Sequence, residues 1–194
     1  MLSENGYNEF AYKLLLNNGF PSWLYAVERG ATTIWERWNS VREDGSMGEV
    51  AMNSFNHCAY GAIVEWMYRH VCGINPVEAA PGFRKMIIAP LPNSQLTCAR
   101  ASIRTQYGFV VSGWALADGK IRIDIEIPFN TSAEIHLPGA NACDILENDK
   151  LMHGAHFTRG SGKWVYEYVP IMNTINRRVP GDEDNALTAT GLPV

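Results

Sequence analysis

Residues 120–127, Lys120-Ile121-Arg122-Ile123-Asp124-Ile125-Glu126-Ile127, place an isoleucine at every second position with a charged side chain between each pair. A period of two is that of a strand with one buried and one wet face. Asp118-Gly119 stands immediately before it and predicts a tight hairpin back to a strand over Phe109–Ala117, because both residue types accept a positive φ. Working outward, strands are expected at Thr97–Tyr107, Ala133–Leu137 and Lys163–Val169, with Gly160-Ser161-Gly162 turning the chain before the last. Antiparallel strands with one solvated face predict a small β-sandwich over residues 81–172. The polar, aperiodic, Pro- and Gly-containing stretch that follows reads as a disordered tail over residues 173–194.

Before Pro81 the period changes. Phe55, Cys58, Ala59, Ala62, Ile63, Trp66, Met67 and Val71 make an apolar stripe at helical spacing, predicting a core helix over Ser54–Cys72, with Ser54 as N-cap and Gly73 just past its end. Helices are also predicted from Ser3 to about Asn18 and, shortly, after Pro21 as far as Gly30. The β-branched and aromatic run Ala31–Trp38 reads as extended. Helices followed by strands give an α+β chain in two segments. Three helical elements in some eighty residues cannot close a helical domain, so residues 1–80 read as the end of something larger.

Composition narrows the function. With 46% hydrophobic residues in 194, the chain has material for a sizeable core. A net charge of -4, from 16 basic and 20 acidic residues spread along the chain, supplies no concentrated basic patch, so nucleic acid is excluded as a partner. No stretch is apolar for long enough to span a bilayer as a helix. Cys58 and Cys72 share the predicted helix and would stand roughly 21 Å apart at the α-helical rise, well beyond disulfide reach. Cys98 and Cys143 stay unconstrained by this argument. With no secretory signal at the N-terminus and no forced disulfide, a reducing, cytoplasmic setting is the expectation.

Two residues could carry chemistry. The segment 30–40, GATTIWERWNS, crowds Trp35, Trp38, Thr32 and Thr33 around the single carboxylate Glu36. Burial beside indole rings would raise its pKa, and Arg37, if turned inward, would lower it, leaving base and acid roles open alongside an ion pair that supports a turn. His57 falls in the first turn of the predicted helix, where the helix dipole favours a neutral ring able to donate and accept hydrogen bonds; a local packing role is the alternative. Glu65 and Arg69, at i,i+4, are expected to form an ordinary surface pair.

Taken in order, GATTIWERWNS (30–40), MNSFNHCAYGAIVEWMYRHVCGI (52–74) and PGFRKMIIAPLP (81–92), followed by a strand-rich region, resemble the C-terminal stretch of bacterial α-L-rhamnosidases of glycoside hydrolase family 78. The resemblance runs from Phe20 to Pro138, about three-fifths of the chain. It implies that residues 1–80 are the last helices of an (α/α) six-hairpin barrel and that a C-terminal β-sandwich follows. It also implies that Glu36, the Glu of the TTxWE motif, is the general base of an inverting hydrolysis, and that His57 hydrogen-bonds the rhamnose. The family's general acid lies upstream of the matching stretch. Where the family often has Tyr after that His, this chain has Cys58. No cofactor or metal is implied, and the partner is a rhamnose-containing glycoside or oligosaccharide. Self-association through apolar helix faces is a further expectation. Two other readings stay open: a non-catalytic carbohydrate-binding or structural β-sandwich unit, and a six-hairpin glycosidase acting on another sugar.

Overall fold

The computed structural model describes residues 1–140 and 145–171. Cys143 and the tail expected to be disordered lie outside the described residues.

The helical segment is shorter and more broken than the periodicity predicts. A 3₁₀ turn, Ser3–Asn5, ends at Gly6 in the left-handed region (φ 86°), and α1 then runs Asn8–Leu16. The short helix α2, Trp23–Glu28, is capped by Ser22, whose hydroxyl accepts from the Tyr25 N–H at 3.0 Å. Residues 31–38, expected as a strand, have none of the regular pairing of one.

The largest correction concerns the core helix over Ser54–Cys72. The helical run begins only at Ala59, as a 3₁₀ turn (Ala59–Ala62), one α turn, α3 (Ile63–Trp66), and a π turn (Met67–Val71). Ser54 is not its N-cap: its carbonyl is taken by the N–H of Glu36 at 2.8 Å, and the N–H of His57 donates to Ile34 O at 2.8 Å. The first of these occupies the carbonyl that would accept from the Cys58 N–H in a helix begun at Ser54, and the second draws the backbone at His57 across to the neighbouring segment. The stripe is not core either, since Phe55, Cys58, Ala59, Ala62 and Met67 are exposed and only Val71 is buried. Gly73 does stand just past the end (φ 75°), and a Cβ there would lie 2.1 Å from Pro90 N, so no other residue fits.

The strand segment follows the period-two reading closely. β1 (Ile74–Pro76), β2 (Lys85–Ile88), β3 (Cys98–Thr105), β4 (Gly108–Ala117), β5 (Lys120–His136), β6 (Ile145–Glu147), β7 (Lys150–Met152) and β8 (His156–Tyr168) join in one hydrogen-bonded sheet. Asp118 (φ 51°) and Gly119 (φ 73°) make the predicted two-residue turn between β4 and β5. Ile121, Ile123, Ile125 and Ile127 are all buried, with Val110, Trp114, Ile135, Tyr166 and Tyr168 around them.

Two details differ. Gly160-Ser161-Gly162 does not turn the chain but lies inside β8, opposite the register shift that falls between Ile127 and Ser132 of β5. Without Cβ atoms, the two glycines let β8 follow the bend; Gly162 takes φ 145° to do so. The strand expected at Ala133–Leu137 is accordingly the second half of β5. That half pairs with β2 in parallel, whereas the first half pairs with β4 antiparallel, so the sheet is mixed. The β3–β4 hairpin supplies the crossover that a parallel pair requires.

The two segments meet through buried polar bonds. Trp114 donates its indole N–H to Val71 O at 2.8 Å, and the Ser112 hydroxyl donates to Cys72 O at 2.6 Å. Tyr12, fully buried, donates to Leu91 O at 2.8 Å and meets Trp66 edge-on at 5.2 Å between ring centroids. Each satisfies a carbonyl that the end of the helical run or the following loop would leave unpaired in the interior. The pair Glu65–Arg69 forms on the exposed side at 3.1 Å, as the spacing predicts.

Candidate functional site

The sequence singles out Glu36 and His57, and the fold brings them onto one pair of crossed segments. The bonds Glu36 N–H to Ser54 O and His57 N–H to Ile34 O tie residues 34–36 to residues 54–57, and the Thr33 hydroxyl adds a bond to Phe55 O. Trp35 turns to the buried side and packs edge-on against Phe55 at 5.4 Å. Glu36 therefore turns away from the aromatic core and is half-buried.

Its partner is the backbone N–H of Ser54, which donates to Glu36 Oε2 at 2.8 Å. That bond engages one carboxylate oxygen and leaves the second open. Arg37 does not turn toward Glu36; its guanidinium reaches Glu49 at 3.1 Å across the loop. The indoles do not wall Glu36 in either. Trp38 stacks on Tyr60 at 3.9 Å and takes the edge of Trp23 at 5.1 Å, lining a cavity of about 60 Å³ that includes neither Glu36 nor His57. A carboxylate with a single hydrogen-bond donor and no cation against it can accept a further proton donor, such as a water.

His57 is not in a first helical turn, so the helix-dipole argument for it falls. Its ring is set locally instead. The Ala59 N–H donates to Nδ1 at 3.2 Å, which makes Nδ1 the acceptor and leaves Nε2 to carry the proton of a neutral ring. Such a ring presents an N–H donor to a ligand oxygen. Among the described residues no group of three or more His, Cys, Asp or Glu is arranged to hold a metal ion.

Ser54 itself is absent from the sequence reading except as a helix cap, yet its N–H is the donor that meets Glu36. A backbone donor leaves no side-chain signature, so the residues alone offer no means of finding it.

Comparison with known proteins gives this arrangement a family. The model for the bacterial alpha-L-rhamnosidase 6 hairpin glycosidase domain matches residues 1–71, and that for the bacterial alpha-L-rhamnosidase C-terminal domain matches residues 73–151. An alpha-L-rhamnosidase of Formosa agariphila is 43% identical over 155 residues, covering 79% of this chain and 16% of its own length. One from Streptomyces avermitilis is 38% identical over 167 residues, covering 86% of this chain and again 16% of its own. The crystal structure of a Streptomyces avermitilis alpha-L-rhamnosidase complexed with L-rhamnose superposes with a TM-score of 0.76 at 36% identity, covering 86% of this chain and 16% of that one. The chain thus spans about a sixth of the length of the relatives it matches.

Proposed function

This chain belongs to the family of bacterial α-L-rhamnosidases, and we propose that it forms the C-terminal portion of a glycoside hydrolase that removes terminal α-L-rhamnose with inversion. In this reading residues 1–80 complete the six-hairpin barrel, with the strand Ile74–Pro76 at the seam, and residues 81–172 form the C-terminal β-sandwich. Glu36 is the general base. It takes a proton from a water as the water oxygen attacks the anomeric carbon, while an acid on the opposite face protonates the departing glycosidic oxygen. Inverting pairs of this kind stand roughly 6.5–9.5 Å apart to leave room for the water.

One observation carries the assignment: Glu36 has a single donor, the Ser54 N–H at 2.8 Å, and its guanidinium neighbour is committed elsewhere. A base needs an oxygen free to accept. His57, one short segment away with Nε2 as donor, is assigned to a sugar hydroxyl. The acid is assigned to the remainder of a longer protein, because Glu28, Glu43, Asp44 and Glu49 match no acid motif of the family. Free Cys58, Cys72 and Cys98 support a reducing, cytoplasmic setting for the whole.

The test uses the active enzyme that contains this chain and an aryl α-L-rhamnoside. Glu36→Gln is expected to lower kcat by about 10²–10⁴-fold with substrate binding retained. Azide added to Glu36→Ala is expected to yield β-rhamnosyl azide, because the anion enters from the face the water used. An α-configured azide, or near-normal turnover by Glu36→Gln, would overturn the assignment. His57→Ala is expected to weaken kcat/KM by about 1–3 kcal/mol, as for a sugar hydroxyl left without its partner.

A further inference from the structure

Asn53 stands next to the residue whose N–H meets Glu36, and it holds the one buried side-chain polar atom among the described residues that has no hydrogen-bond partner, Oδ1. Its other amide atom is engaged: Nδ2 donates to Ser40 O at 3.1 Å. The amide cannot be turned over, because a flip would set Oδ1 against the Ser40 carbonyl, acceptor against acceptor. The orientation is therefore fixed by the bond to Ser40, and the unpartnered oxygen is its consequence. Buried polar atoms are seldom left so, and the bond that fixes this one calls for a reason.

What is held can be followed atom by atom. Ser40, fully buried, donates both its N–H, at 3.2 Å, and its hydroxyl, at 3.0 Å, to Arg37 O. Its carbonyl receives the Gly48 N–H at 2.9 Å as well as Asn53 Nδ2. A Cβ at Gly48 would lie 2.8 Å from Asn39 O, so the loop 41–52 closes on this point only with glycine there. The resulting knot ties the chain one residue after Glu36 to the chain one residue before Ser54. Between them runs the 2.8 Å bond from the Ser54 N–H to Glu36 Oε2.

We propose that Asn53 is a positioning residue for Glu36: through Ser40 it braces the loop ends on either side of the two segments that the Glu36 N–H to Ser54 O and His57 N–H to Ile34 O bonds already join, and so sharpens the aim of the Glu36 carboxylate. The inference rests on the reading of Glu36 as the base. Asn53 touches neither substrate nor the reacting water in this role; it acts through the Ser54 N–H. Losing the Ser40 bond lets that N–H drift relative to the carboxylate, and small misplacements of a catalytic group lower the rate strongly.

The experiment is a double-mutant cycle in the active enzyme containing this chain, with kcat and KM measured on an aryl α-L-rhamnoside and folding followed by thermal unfolding. Asn53→Asp keeps the size and replaces the donor by an acceptor. Alone, it is expected to lower kcat about tenfold or more with KM within about twofold, since the base works only in the chemical step. In a Glu36→Gln background it is expected to change kcat no further, because the group it aims is gone. A purely structural residue would lower both backgrounds alike. Should Asn53→Asp fail to fold, Asn53→Ser, a smaller change, is put through the same cycle with the same expectation. Unchanged kcat for the folded Asn53 variant, or an equal further loss in the Glu36→Gln background, would overturn the positioning role while leaving Glu36 as base. Near-normal turnover by Glu36→Gln alone would instead sink the reading on which it rests.

Discussion

The two segments of this molecule use their apolar residues in opposite ways. In the sheet, Ile121, Ile123 and Ile135 have no exposure at all, and the charged residues between the isoleucines face water. In the helical segment, Met67 is 39% exposed and Phe55 36%, although their spacing is that of residues meant for an interior. The difference teaches where each pattern finds its complement. The alternation of β5 is answered by β4 and β8 and by the helical end resting on Trp114, all within the chain. The helical stripe is answered by nothing comparable among the described residues. Its natural complement in this account is the rest of a six-hairpin domain.

The contrast can be broken by truncation at matched sites. Ile123→Ala is expected to destabilise the chain by about 2–5 kcal/mol, the range for buried aliphatic residues cut to alanine. Met67→Ala, on the exposed stripe, is expected to cost no more than about 0.5 kcal/mol. Urea unfolding of the two variants checks this, and similar losses at both sites would mean that the helical stripe is packed after all.

A smaller effect sharpens the picture of the sheet's far edge. Glu147, buried on β6, accepts from Arg159 at 2.6 Å and from the Tyr166 hydroxyl at 2.7 Å. Burial by itself would raise its carboxyl, but those two hydrogen bonds and the Arg159 charge outweigh it and hold the pKa below the usual carboxylate range. A depressed folded pKa contributes stability that is complete above the unfolded value. As pH falls below roughly 4, the unfolded chain takes up the proton first and that stability is lost. Glu147→Gln is expected to cost about 1–3 kcal/mol at neutral pH and to flatten the acid side of the stability profile. A variant with the wild-type acid slope would show that the carboxylate contributes nothing there.

The exposed stripe makes a further, concentration-dependent difference. Apolar patches of this kind draw partners, so the isolated chain is expected to self-associate through the helical face. Phe55→Ser with Met67→Ser should shift sedimentation toward monomer without lowering the unfolding midpoint. A strictly monomeric parent chain at high concentration would count against it.

How much of this could be read from residues follows the same division. The strands were legible because period two and Asp118-Gly119 report local backbone geometry directly. The parallel β2–β5 pair and the unbroken β8 were not, because pairing partners and the bend at Gly160 and Gly162 depend on residues far apart in sequence. The long helix was over-read at its start: Ser54 looks like a cap, yet its carbonyl and N–H are taken by Glu36, a contact that no helical periodicity reports. Glu36 and His57 are singled out by their motifs. Asn53, Ser40 and Gly48, which hold the segments around Glu36, carry no signal of their own until the loop is seen closed.

The central claim is that this chain carries the base of a glycosidase but not the acid opposite it. The most direct measurement is turnover of an aryl α-L-rhamnoside by the purified chain, side by side with its Glu36→Gln variant prepared identically. The account predicts no rhamnose release by the chain above that of the variant, since one carboxylate cannot both activate water and protonate the leaving oxygen on opposite faces of the sugar. Release at a rate ordinary for a glycosidase, abolished by Glu36→Gln, would contradict it and place the acid among these 194 residues.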